Sequence, residues 1–302
     1  MVKRLQLKAA MLLAVLWGGD ATASLHVFAC EPEWAALARE LGGEDIDTYS
    51  ATTAQQDPHQ IQARPSLIAK ARGADLMICS GADLETGWLP QVQRQSANPK
   101  VQTNGAGYFE AANVVQRLEV PTVLDRAEGD VHPGGNPHVQ TNPHNIAAIA
   151  TKLSARMSEL DPSRAAAYAQ RLADFQQRWT TATTKWEAAA APLKGFGVVV
   201  HHKYWAYLID WLQLHEVATL EPKPGVPATL VHLDQVLGVV AQNPAHAILR
   251  TPYDDPQPSQ WLSEKAHLPA LVLPGSVGGL PGTDDLFGTF DVTIAELLKA
   301  LP

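Results

Sequence analysis

From Leu25 onward the apolar positions alternate between two rhythms. LHVFAC, DIDTYSAT and LMICSG are short runs bounded by turn residues, whereas EPEWAALARELGG and RPSLIAKARGAD carry apolar residues three and four apart. The first pattern predicts strands and the second helices. A β-α-β-α-β order with helical crossovers implies a parallel sheet. The same grammar returns further on as FGVVVHH, YWAYLIDWLQL, EVATL, LVHLDQVLGVVAQN, AHAILR, QPSQWLSEKAH, ALVLP and a closing helix from about Asp284 to Leu301. The expected class is therefore α/β with two lobes, each a parallel sheet flanked by helices.

Between the lobes lies DPSRAAAYAQRLADFQQRWTTATTKWEAAAAPLKG, which predicts one long helix. Asp161 is the natural N-cap, Pro162 fits the first helical position, and Gly195 lies beyond the end. At 1.5 Å per residue it runs roughly 45 Å, enough to cross both lobes. Tyr168, Leu172, Phe175 and Trp179 recur at helical spacing as one packing face. Lys100 to Pro143, rich in Gly, Asn and Pro, predicts mostly loop, with a short strand or helix around Asn113 to Leu118.

Lys3, Arg4 and Lys8 precede an apolar run from Ala9 to Trp17, followed by Ala21-Thr22-Ala23. That is the layout of a cleavable export signal, too short for the roughly 20 residues of a membrane-spanning helix. The expected organisation is a signal peptide 1–23, an N-terminal lobe 24–160, a linking helix 161–194 and a C-terminal lobe 195–302. An exported, periplasmic, monomeric protein follows. The net charge of −8 and the lack of a basic cluster predict no nucleic-acid partner. Cys30 and Cys79, the two cysteines, each end a strand-like run, leaving a disulfide or two buried thiols as alternatives.

The 11 histidines bring in the chemistry. His59 follows a predicted strand in DPH, His138 lies in NPH before a helix that Asn142 would cap, and His201-His202 end the strand FGVVV. In open α/β sheets ligands bind beyond the carboxyl ends of strands. Neutral imidazole is a common zinc ligand, and three of them leave one tetrahedral position for a carboxylate or water.

DPH at Asp57 to His59, NPH at Asn136 to His138 and HKYWAYLIDWL at His202 to Leu212 together resemble the zinc- and manganese-binding solute receptors of ABC importers. PEWAALARELGGE, GADLMICSGADLETGWLP and NIAAIATKLSARMSELDPSRAAAYAQRLADF extend the resemblance over nearly the whole chain. It implies two lobes joined by a long helix, with His59 and His138 from the first lobe and His202 from the second holding a transported cation for a membrane permease. His201 is then a packed or hydrogen-bonded neighbour. His132 and His144 read as an exposed loop position and a first-turn helix position, contact with metal being their other option.

The family's fourth ligand is commonly an Asp at a late strand end, where this chain has Leu273 and Pro274. Glu221, on a loop stiffened by prolines, is the expected substitute, with Asp284, Asp285 or water as alternatives. The acidic pair otherwise serves as N-cap of the last helix. The long His-rich loop of some zinc members is absent.

Three histidines favour Zn²⁺, with Mn²⁺ or iron as the alternative cargo, because harder cations prefer oxygen ligands. A three-histidine zinc hydrolase is a separate possibility, opposed by the lack of an HExxH pattern and of an obvious general base. A periplasmic metallochaperone or adhesin would differ only in its partner.

Overall fold

The computed structural model describes residues 24–122 and 132–301. The expected signal peptide, with its cleavage site, lies outside the described residues. Strands β1 (Leu25–Ala29), β2 (Ile46–Ser50), β3 (Leu76–Cys79) and β4 (Tyr108–Glu110) form one sheet in the order β2-β1-β3-β4, every pair parallel. Helices α1 (Pro32–Gly42), α2 (Pro65–Arg72), α3 (Leu89–Ser96) and α4 (Pro143–Leu160) belong to this lobe. The long helix α5 (Ala165–Ala190) follows.

The second sheet repeats the topology. It contains β5 (Gly197–Val200), β6 (His215–Thr219), β7 (Ala247–Arg250) and β8 (Ala270–Val272) in the order β6-β5-β7-β8, again all parallel. Around it lie α6 (Ala206–Leu212), α7 (Leu230–Gln242), α8 (Pro256–Ala266) and α9 (Leu286–Leu298). All residues of β3 and β5 are buried, as expected of inner parallel strands covered on both faces. In each sheet the strand order reverses beside the first strand, and a crevice opens beyond the carboxyl ends at that point. Cys30 and Cys79, which follow β1 and end β3, are joined by a disulfide.

Two local expectations need correction. The short strand of the glycine-rich region is β4, upstream of Asn113, and a 3-10 turn occupies Ala111–Val114. Three residues are too few to display a strand period. The neighbouring glycine is sterically required, because a Cβ on Gly107 would lie 2.1 Å from the Asp75 carbonyl oxygen. Asp161 does not cap the long helix by accepting a backbone N–H; a 3-10 turn at Pro162–Arg164 intervenes. Its carboxylate instead accepts from Ser163 Oγ at 2.6 Å, Arg164 Nη1 at 2.7 Å and Tyr168 OH at 3.0 Å.

The 26 residues of α5 span about 39 Å. The helix lies against α1 and α4 of the first lobe and α9 of the second. Its buried face carries Tyr168, Phe175, Trp179, Thr183, Trp186 and Ala190. Trp179 stacks on Phe175, meets Phe287 and Phe290 edge-on, and donates from Nε1 to the Pro143 carbonyl at 2.8 Å. Trp186 stacks on Phe290 and donates to Asp291 Oδ1 at 2.8 Å. One aromatic stack thus ties the strut to both lobes.

Trp179→Ala removes the centre of that stack and leaves a cavity, so it should lower unfolding free energy by about 3–5 kcal/mol. Denaturant titration with an unchanged m-value checks this; a loss below about 1 kcal/mol would show that the strut does not couple the lobes.

Candidate metal centre

Each expected histidine is held by a local device before it meets the others. After β2 the chain turns through the 3-10 segment Pro58–Gln60, where Asp57 Oδ1 accepts from the His59 backbone N–H at 3.0 Å and lies 2.7 Å from His59 Nδ1. Trp88 Nε1 anchors the same turn through the Pro58 carbonyl at 2.9 Å. His138 repeats the device, its backbone N–H donating to Asn136 Oδ1 at 3.0 Å, and its ring stacks on Tyr204 with centroids 4.2 Å apart. His202 follows β5 directly, and its Nδ1 lies 2.7 Å from Glu221 Oε2. A carboxylate can only accept, so the protons of His59 and His202 sit on Nδ1 and each Nε2 presents a lone pair.

The three rings make a near-equilateral triangle. Centroids are 5.7 Å apart for His59 and His138, 5.5 Å for His59 and His202, and 5.6 Å for His138 and His202. One ring nitrogen from each lies within 4.8 Å of the others. His138 is 1% exposed, and neither of its ring nitrogens has a hydrogen-bond partner among the described residues. Buried polar atoms are almost always paired, so this imidazole marks a place where a partner belongs.

Glu221 reaches the same pocket, but its position differs from that of a ligand. Its Oε2 is engaged by His202 Nδ1 and accepts from the Gly225 N–H at 3.0 Å. It stands behind the His202 ring, the usual place of a group that orients a ligand. Asp285 caps α9, accepting from the Gly288 N–H at 2.7 Å. His201 is buried with its Nδ1 unpartnered among the described residues, and His144 pairs outside the site with Glu187 at 2.7 Å. His132, expected chiefly as an exposed loop position, is only partly exposed and brings its Nε2 to 3.1 Å from His59 Nε2.

The electrostatics keep the ring nitrogens of His138 and His132 unprotonated, whereas His202 is pulled the other way. Burial, reinforced by the neighbouring histidines, drives His138 far below the ordinary imidazole value and His132 down to about 3. Burial would also lower His202, but Glu221 outweighs it and raises the group. Burial would raise Asp57, yet its hydrogen bonds to His59 bring it below the usual carboxylate range. Asp57, His59, His202, Glu221, Tyr253 and Asp254 line a cavity of about 30 Å³. The imidazoles are therefore backed by carboxylates, an arrangement that attracts a cation and fixes the ligands.

Sequence reasoning missed several contributors. Asp254 was visible only as one acid of PYDDP. Glu31 and Glu33 lie in the stretch expected as a helix, and Glu85 received no reading of its own. All three are buried. Burial pushes Glu31 well above the ordinary carboxyl value, helped by Glu85 and Glu33, and raises Glu33 and Glu85 to about 7. Glu33 on α1 accepts from Ser276 Oγ across the lobe interface. Gln140 Nε2 also crosses it to Tyr204 OH at 2.8 Å, as does Asn136 Nδ2 to the Lys203 carbonyl at 2.7 Å.

Residues 27–300 match the family model of ZnuA, the periplasmic zinc-uptake complex component A. Among curated proteins, the manganese ABC transporter substrate-binding lipoprotein PsaA of Streptococcus pneumoniae serotype 4 is 27% identical over 175 residues, 57% of this chain and 54% of that protein. PsaA of Streptococcus anginosus is 27% identical over 161 residues, 53% of this chain and 50% of that protein. The chain thus spans about half the length of the curated relatives it matches. Among solved structures, a ZnuA crystal structure superposes with a TM-score of 0.75 at 17% identity, covering 91% of this chain and 98% of that one. A manganese-bound periplasmic metal-binding protein from Candidatus Liberibacter asiaticus gives 0.73 at 14% identity, covering 92% and 99%. These likenesses establish the fold.

The raised carboxyls make stability pH-dependent with a defined sign. A carboxyl whose folded value lies above its unfolded one stabilises the fold fully below the ordinary value, and that contribution is lost as pH rises toward about 7. Glu33→Gln keeps a partner for Ser276 but cannot ionise. Metal-free wild type should therefore lose about 1–3 kcal/mol relative to Glu33→Gln between pH 4.5 and 7.5. Parallel denaturation midpoints across that range would refute it.

Proposed function

The chain belongs to the ZnuA family of periplasmic zinc-uptake components, and from that premise we propose that it is a periplasmic receptor that captures one Zn²⁺ between its lobes and delivers it to an ABC permease. His59, His138 and His202 are the proposed ligands, and Glu221 orients His202. The observation that carries the reading is His138, a buried imidazole with both nitrogens unpartnered among the described residues, beside two rings whose Nε2 lone pairs point into the same space. A borderline-soft cation would supply the partner that His138 lacks and draw on the Nε2 lone pairs of His59 and His202.

The curated relatives carry manganese in their names, and solved neighbours hold manganese or cadmium. Nitrogen donors argue for zinc here, because Mn²⁺ favours carboxylate and water oxygens, and the flanking Asp57 and Glu221 are occupied with ring nitrogens. The same occupation argues against a hydrolase, since neither acid is left to act as general base on a metal-bound water. The family is one of transport components.

Calorimetry of the mature protein should give one Zn²⁺ per chain, bound far more tightly than Mn²⁺, and His138→Ala should abolish that preference. No heat with Zn²⁺, or equal affinity for the two metals, would overturn the reading. Glu221→Gln should weaken zinc by about 10–100-fold, as removal of an orienting group does. Binding should decline as pH falls, because Glu221 raises His202, which must be unprotonated at Nε2 to coordinate; a flat profile from pH 7.5 to 5 would exclude His202 as a ligand.

A further inference from the structure

The proposed three-histidine set leaves one tetrahedral position open, and the strand end after β8 offers Leu273 and Pro274 rather than a carboxylate. Glu221 is turned to the back of His202. One further nitrogen lies beside His59: His132 Nε2, 3.1 Å from His59 Nε2, with ring centroids 5.2 Å apart. Two nitrogens on one tetrahedral zinc, at Zn–N distances of about 2.0–2.1 Å, lie about 3.3 Å apart. The His59–His132 pair already has nearly that spacing.

The His132 loop is fastened down. The Gly135 N–H donates to the His132 carbonyl at 3.0 Å, closing a tight turn, and the Gly134 N–H donates to Asp83 Oδ2 at 3.2 Å. Gly135 has φ of 94°, and a Cβ there would lie 2.8 Å from the Leu118 carbonyl oxygen, so the glycine permits the close approach that seats the loop. The tautomers suit exchange. His59 keeps its proton on Nδ1 against Asp57, so in the metal-free protein His132 donates from Nε2 to His59. When a cation arrives, a shift of the His132 proton to Nδ1 frees its Nε2.

We propose that His132 is the fourth ligand, so that the site closes as four imidazoles and selects nitrogen-preferring cations, Zn²⁺ with Co²⁺ as its spectroscopic stand-in, against Mn²⁺. The inference rests on the reading that His59, His138 and His202 hold the cation. An all-nitrogen shell offers Mn²⁺ no protein oxygen, which sharpens discrimination beyond what three histidines and water provide.

Co²⁺ and Zn²⁺ titrations of wild type, His132→Ala, His132→Gln and His138→Ala test it, with X-ray absorption on the zinc forms. Wild type should show an intense tetrahedral Co²⁺ visible spectrum and outer-shell scattering from four imidazoles. Both His132 variants should keep one site per chain but bind zinc about 10–100-fold more weakly. Their Zn²⁺/Mn²⁺ preference should drop by a similar factor, and one imidazole should be replaced by a light oxygen donor. If His138→Ala abolishes binding while both His132 variants match wild type in affinity and spectrum, the fourth-ligand assignment fails and the three-histidine reading stands. If wild type takes up neither Co²⁺ nor Zn²⁺, both fail.

Discussion

A buried imidazole nitrogen without a hydrogen bond is the constraint around which the cleft is arranged. Leaving such an atom dry and unpaired costs about 1–3 kcal/mol, and His138 carries two of them at 1% exposure. Nothing in its own lobe relieves this, because Asn136 is spent on the His138 backbone and Tyr204 offers the ring a face rather than a donor. His59 and His202 are better off, each with one nitrogen on a carboxylate, yet their other nitrogens converge on the same space. A cation bound as proposed would supply the partner that His138 lacks and draw on the other two lone pairs. The metal-free lobes are thus held in a geometry whose unsatisfied groups await the ligand, and affinity is built in as preorganisation.

The lobes can hold that geometry because their contact does not run through the metal alone. Gln140 to Tyr204, Asn136 to the Lys203 carbonyl and Glu33 to Ser276 cross the interface around the histidines. Behind them the aromatic stack of α5 and α9 joins both cores. Burial raises Glu31 and Glu33 and so favours their neutral forms, whereas the hydrogen bonds to His59 favour the ionised form of Asp57. Negative charge is thus concentrated where a cation would sit and removed where it would push the lobes apart.

Much of this was legible because it depends on local pattern. The parallel sheets show as short apolar runs separated by helical spacing, and the long helix as an uninterrupted amphipathic stretch. The position of His59 and His202 beyond strand ends follows from the topology. The two motif triplets were legible as motifs, and the structure adds their mechanics: Asp57 and Asn136 each accept from the histidine two residues on. What stayed hidden needs three dimensions. No spacing rule puts His132 against His59, 73 residues away, because their approach depends on how a glycine pair packs against Leu118 and Ala82. The burial of Glu33 was not legible, for burial of a charge is a property of what folds over it. Glu221, expected as the fourth ligand, lines the same cavity and pairs with His202 Nδ1, a contact that sequence separation does not encode.

The strand end after β8 explains why the site had to be completed differently. In the resembled family that position commonly brings an Asp to the metal, but here Leu273 is fully buried and the chain turns at Pro274. The following residues face the lobe interface: the Gly275 carbonyl accepts from Tyr204 OH at 2.9 Å, and Ser276 donates to Glu33. Gly275, at φ of 67°, lets the chain make that turn, and its open α-carbon leaves room for the Tyr204 hydroxyl, 3.4 Å from where a Cβ would stand. That hydroxyl fixes the ring stacked on His138. In the proposed site the segment would act on the cation at one remove, by positioning the ring stacked on His138, while Asp57 and Glu221 stand behind the other two rings.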